Sequence, residues 1–151
     1  MPEQKTLERA RKDKRQGKTA TTQAGEFVRE EIEHVREGKH GARSTKQAIA
    51  IGLSKARRAG VDLPPPEKGT VSEKTRRSAA SAYRAGRKGK HRPSRRRSRA
   101  VTRALEREGT AAASGEALAK QARSAASRRS RSERSAAARK AARTRHAEHR
   151  A

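Results

Sequence analysis

The side chains best placed to do chemistry in this chain are cations. Between Arg87 and Arg107, ten of them (Arg87, Lys88, Lys90, Arg92, Arg95, Arg96, Arg97, Arg99, Arg103 and Arg107) stand against one acid, Glu106. That density suits a phosphate backbone. Each cation that meets a phosphate releases condensed counterions, and an arginine can grip two phosphate oxygens at once. Arg128, Arg129, Arg131, Arg139, Lys140 and Arg143 carry the same character onward, while Lys46, Lys55, Arg57 and Arg58 lie earlier in the chain. A solvated linker is the plainer use of such a run, but nine net charges between residues 87 and 107 favour a polyanion.

Other chemistries find less support. Single-strand binders stack bases on aromatic platforms, and the chain holds only Phe27 and Tyr83. Phe27 reads as core and Tyr83 as packing against alanine. No zinc-finger spacing, paired aromatic motif or phosphate-cradling glycine loop is present. Glu30, His34 and Glu37 fall at i, i+4 and i+7, which is a metal-ligand spacing on one helix. They lack the further ligands a site needs, so the expectation is a solvated acidic face and no metal. Glu26, Glu30, Glu33 and Glu37 make that face, and it could hold the chain's own basic tail when nucleic acid is absent. No Ser/His/Asp set can be assembled and there is no cysteine. No catalytic residue and no cofactor are expected.

Composition sets the elements that must carry these cations. Lys and Arg number 41 against 16 Asp and Glu, for a net charge of +25. Only 14 of 151 residues are Ile, Leu, Val or Phe, while 29 are alanine. That is under the roughly 20% below which a highly charged chain is expected to be largely disordered. No apolar run approaches a membrane span, and no signal-peptide stretch follows Met1. Nine of the 14 lie between Phe27 and Leu63, and 26 of the 41 cations lie beyond the break at Pro64-Pro65-Pro66.

The pattern predicts an all-α chain: a basic N-terminal arm (1–21), a helical-hairpin head (22–63), a Pro-rich hinge (64–69) and a basic Ala/Arg/Ser-rich tail of marginal helices or disorder (70–151). Thr21 or Thr22 would cap the first head helix, which carries Val28, Ile32 and Val35 on one stripe and ends at Gly38. Ser44 to Gln47 fits a capping box opening a second, with Ile49, Gly52, Leu53 and Ala56 facing inward and Gly60 as its stop. Ile51 points away and implies a third surface, a later helix or a second copy. In the tail, Thr70 to Glu73, Ser94 or Ser98, Ser114, and Ser130 to Glu133 read as helix starts, and Gly86 and Gly109 as stops.

The run from Gly25-Glu-Phe-Val-Arg-Glu-Glu-Ile to Lys46-Gln-Ala-Ile-Ala-Ile-Gly-Leu-Ser-Lys-Ala-Arg-Arg-Ala-Gly resembles a family of small, basic, functionally uncharacterised bacterial proteins. The resemblance covers about residues 22–63 and implies a bacterial, helical head. Residues 135–144 are similar in composition to the Ala/Lys/Arg tails of linker-histone-like proteins.

The function expected from these residues is non-sequence-specific nucleic-acid binding, DNA favoured over RNA, by a cytoplasmic, nucleoid-associated or histone-like protein that is no enzyme and needs no membrane. Two copies could pair through the head. The helix Lys46 to Arg58 follows a short turn and could read bases, though phosphate contact is its simpler use. An RNA-binding or ribosome-associated factor, or an adaptor whose head holds a protein, are the competing classes.

Overall fold

The computed structural model describes residues 1–89 and 94–148, and these are all-α. Lys90 and Arg92, two of the expected phosphate ligands, lie outside the described residues. The chain divides into two units, residues 1–114 and 115–151.

Residues 1–114 hold α1 (Gln4–Arg15), α2 (Ala20–Arg36), α3 (Thr45–Arg58), α4 (Glu73–Arg87), α5 (Arg95–Glu106) and a single 3₁₀ turn, Ala111–Ala113. Helix α2 begins earlier than its sequence suggests. Thr19, rather than Thr21 or Thr22, is its N-cap and accepts from the Thr22 amide. At the start of α3, Ser44 Oγ accepts from Gln47 N, and the Gln47 carboxamide reaches back one residue further, to Arg43 N at 2.8 Å. Gly38 and Gly60 follow α2 and α3 with φ of +71° and +89°. That left-handed turn is open to glycine at little cost. For α4 the cap is Ser72, not Thr70, whose hydroxyl bonds Glu67 O.

The core is built from small residues. Ala10, Ala24, Phe27, Ala56 and Val61 are buried together, with Leu7, Ala20, Leu53 and Leu63 packed around them. Phe27 is 1% exposed and fills the centre, as expected. Alanine-lined helices can approach closely, and two glycines carry this furthest. A Cβ on Gly52 would meet the Val28 backbone at 2.6 Å, and one on Gly86 would meet Arg57 O. Gly86 therefore lies inside α4 as a packing site and does not stop it; the helix runs on to Arg87.

Close approach explains why the folded part exceeds the hairpin. The N-terminal arm is α1, packed on α2 with Thr6 and Ala10 buried. Helix α4 packs on α3 and supplies a third surface. The end of α5 and the segment after it dock through their carbonyls: Leu105 O and Gly109 O accept from the Gly41 and Ala42 amides, and Ala113 O and Ala112 O from the Arg36 and Thr45 side chains. Ala112 and Ala113 are buried. The compact unit thus continues past the Pro64–Pro66 run, where the sequence alone placed a hinge, to Ser114.

Residues 115–151 contain α6 (Gly115–Ser127) and α7 (Arg131–Glu148). Ser130 opens α7 with a reciprocal capping box. Its Oγ accepts from Glu133 N, and its own N–H donates to the Glu133 carboxylate at 2.7 Å. Every described side chain from Arg128 to Ala147 is exposed.

Candidate nucleic-acid interface

Helix α5 gathers the arginines the sequence singled out. At 100° per residue, Arg95, Arg99 and Arg103 recur at i, i+4 and i+8, and Arg96 falls on the same side. Successive members of the row stand about 6 Å apart along the axis, from a rise of about 1.5 Å per residue. All four are exposed, and α5 buries no residue of its own. Among the described residues, none of them makes an ion pair or side-chain hydrogen bond. Arg97 lies on the other side of the helix, near the half-exposed Val101, and Arg107 is the C-cap. The row is held by its end, through Leu105 O on Gly41 N at 2.9 Å.

Arg87 and Lys88 end α4. Arg87 already has partners: Tyr83 Oη accepts from it at 3.1 Å, its guanidinium lies 5.6 Å from the Tyr83 ring centroid, and Asp62 is 3.8 Å away. The Tyr83 hydroxyl donates to Asp62 at 2.5 Å. The ring is therefore held by a carboxylate and a guanidinium in addition to any alanine packing. In the second unit, Arg128, Arg129, Arg131, Arg139, Lys140 and Arg143 are all exposed.

The four cations assigned to the α3 helix separate into two kinds. Lys46 and Arg58 are exposed, at opposite ends of α3 and about 18 Å apart along its axis. Lys55 and Arg57 face inward. Lys55 Nζ sits 2.6 Å from Glu31 Oε2 and 3.4 Å from Glu30 Oε1. Arg57 is 6% exposed and donates to Leu63 O and Pro64 O, tying the Pro run to α3. Burial pushes its guanidinium pKa down. Neither is a phosphate ligand in this arrangement, and α3 offers no continuous basic face for a groove.

The acidic face also differs from the expected solvated stripe. Glu26 pairs with Arg9 of α1, Glu33 with Arg29, and Glu37 with Lys39. Glu30 is 3% exposed, and its Oε2 accepts the Glu3 amide. The N-terminal arm meets Glu26 and Glu30, while Glu33 and Glu37 find their cations within α2 and just after it. Nor do Glu30 and Glu37 join His34 as ligands. The cluster the fold does assemble is Glu31, His34 and His40, whose ligand atoms lie within 4.8 Å of one another. Glu31 escaped the sequence reading because it is outside the acidic stripe. It sits four residues after Phe27 and four before Val35, a carboxylate in the apolar row, and that placement was its signal.

Residues 11–68 match a family of unknown function, DUF6496. The matched stretch starts within α1, runs through α2 and α3, and ends beyond the Pro run. It reaches further than the 22–63 resemblance at both ends and takes in part of α1. Neither the curated proteins nor the solved structures give a match to the chain. The arginine row of α5 lies outside the matched residues, and no helix among the described residues is long and apolar enough to cross a membrane.

Proposed function

We propose that this protein binds duplex DNA through phosphates without reading base sequence, as a bacterial nucleoid-associated or histone-like protein, and that it acts by binding rather than by catalysis. The observation that carries this reading is the α5 row: Arg95, Arg96, Arg99 and Arg103, exposed on one side of a helix and unpaired among the described residues. Unpaired guanidinium groups at one helical face have nothing internal to give up on binding a polyanion. The exposed cations of α7, in the second unit, add to the charge available for phosphate contact. Phosphate contacts position a protein but carry no sequence information.

Fluorescence anisotropy with a random duplex across a salt series tests the reading. Arg95→Ala/Arg99→Ala/Arg103→Ala should weaken binding to all duplexes alike and flatten the log–log salt slope by up to about three units, since each phosphate neutralised adds roughly 0.9 to it. The corresponding lysine variant should weaken less, since charge persists while the two-pronged geometry is gone. An unchanged slope in the alanine variant would overturn the assignment to α5. Tighter binding to an RNA duplex at equal salt would move the reading to RNA.

A further inference from the structure

Two adjacent glutamates on α2 are buried with too few cations to balance them. Glu30 is 3% exposed and Glu31 fully buried. Carboxylates are almost never fully buried unless paired. Lys55 is the one ammonium, among the described residues, that reaches both, at 3.4 Å and 2.6 Å. One positive charge for two carboxylates leaves one negative charge over. Glu31 shows where the remainder is felt. The Lys55 approach to Oε2 is an ion pair off the line of a hydrogen bond, and neither Glu31 oxygen has a hydrogen-bond donor among the described residues.

Two imidazoles converge on that carboxylate. His34 follows Glu31 by three residues on the same helix, and His40 comes in from the loop after it. The rings stand 6.0 Å apart, edge to face at 86°. His40 Nε2 lies 3.3 Å from Glu31 Oε1. On its other side, His40 Nδ1 is 3.0 Å from Gly41 O. A carbonyl can only accept, so Nδ1 is the donor there, and Nε2, which faces Glu31, is the nitrogen open to a metal ion. His34 is held in the same manner. Its Nε2 is 2.8 Å from the Glu3 carboxylate, which leaves Nδ1 as the nitrogen open to a metal ion. A backbone carbonyl and a carboxylate on the outer nitrogens of two imidazoles are the arrangement that orients histidines toward a metal ion. The Glu31–His40 separation fits as well, and all three ligand atoms lie within 4.8 Å of one another. Ligand atoms bound at about 2.1 Å around a tetrahedral ion stand roughly 3.4 Å apart, and the Glu31–His40 distance is 3.3 Å.

We infer that Glu31, His34 and His40 bind one divalent transition-metal ion, with zinc the best match to two imidazoles and a carboxylate. Glu31 Oε1, His34 and His40 Nε2 are the ligands. Lys55 keeps Oε2, and Glu3 orients His34. The ion supplies the missing positive charge and joins α2 to the Gly38–Gly41 loop. That loop is also the anchor of α5, through Gly41 N on Leu105 O, so an ion here steadies the base of the arginine row.

Titration of the full chain with Zn²⁺ alone, followed by calorimetry and by the melting temperature, tests this. The expected result is one ion per chain, a higher melting temperature, and loss of both effects in His34→Gln/His40→Gln. Substitution by Co²⁺ should give the visible absorption of a four-coordinate ion. In the wild-type chain, ring ¹⁵N resonances of His34 and His40 should shift on adding Zn²⁺, a readout that needs no variant to fold. Absence of stoichiometric binding by the wild-type chain would overturn the inference. So would binding retained in the double variant, or zinc-dependent shifts confined to other histidines.

Discussion

Three glycines that lie inside helices should not all respond to alanine in the same direction. At Gly52 a Cβ would meet Val28 Cα at 2.6 Å and Val28 N at 2.9 Å. Backbone cannot yield as a side chain can, so Gly52→Ala must push α2 and α3 apart. The cost should be about 1–3 kcal/mol, the usual range for overpacking. Gly86→Ala, against Arg57 O, should do the same between α3 and α4. Gly25 also lies inside a helix but has nothing within 4 Å. There alanine should stabilise by roughly 0.5–1 kcal/mol, since glycine gives up more freedom on entering a helix. Urea denaturation of the three variants checks this, and equal destabilisation at all three would contradict the close-approach account. A single carboxyl makes a pH prediction. The Ser130 amide, bonded to the Glu133 carboxylate, holds its pKa below the ordinary 4.5, helped by the Ser130 side chain and the Arg129 charge. A group depressed in the folded state adds stability that is complete above its unfolded pKa and is lost as pH falls through the folded one. The start of α7 should therefore loosen only in acid, below the ordinary carboxylate range. The Ser130 amide resonance should titrate there in the wild-type chain, and Glu133→Gln should abolish that titration.

At the scale of elements, α7 stands on local interactions. Its residues are exposed, its caps are Ser130 and Glu133, and Arg139 and Arg143 repel at i, i+4. Alanine favours helix, yet a lone helix of 18 residues is marginal in water. Phosphate neutralisation removes the repulsion, so the full chain should gain helical circular dichroism on saturation with duplex. A flat titration would show that binding and helix formation are independent. How much of this was legible in sequence depended on what each residue had to meet. The α2–α3 hairpin was readable because Val28, Ile32 and Val35 mark one face, and because Gly38 and Gly60 terminate helices by conformation, which is a local property. The Ser130–Glu133 box was readable for the same reason. Gly86 was not, since a glycine that admits a carbonyl and one that ends a helix are the same letter. Docking of residues 105–113 was also hidden. Backbone bonds to Gly41 and Ala42 and two buried alanines leave no hydropathy pattern. The α5 row was legible as charge, but its sidedness appeared only once the helix was fixed, and it removed Arg97 from the face that Arg95, Arg96, Arg99 and Arg103 share. Lys55 and Arg57 were misplaced for the converse reason, because the buried acceptors that claim them lie on other segments.

For the whole molecule, the place where the chain can be cut decides how much of the charge stays with the folded unit. A boundary at the Pro64–Pro66 run would make everything after it dispensable for folding. The structure puts that limit at Ser114. Truncation to residues 1–114 removes α6 and α7 but keeps α4 on α3, the buried Ala112 and Ala113, and the bonds from Arg36 and Thr45 to their carbonyls. That fragment should unfold cooperatively and close to the full chain in urea. Truncation to residues 1–86 is different. It exposes the Thr45 and Arg36 groups that those carbonyls satisfy and takes away α5 with its anchor on Gly41. A hydrogen bond exchanged for water is worth about 0.5–1.5 kcal/mol net, and the packing of the buried Ala112 and Ala113 is lost with these bonds, so this shorter fragment should be measurably less stable than 1–114. The two cuts should also divide the salt dependence of DNA binding. The 1–114 fragment keeps Arg95, Arg96, Arg99 and Arg103 and should retain a steep slope, reduced only by the share that α7 supplies. The 1–86 fragment should bind weakly with a shallow slope. If 1–114 binds no better than 1–86 at the same salt, the exposed cations of the second unit, not the α5 row, carry the affinity. If 1–86 is as stable as 1–114, the docked segment adds nothing to the fold despite its buried alanines.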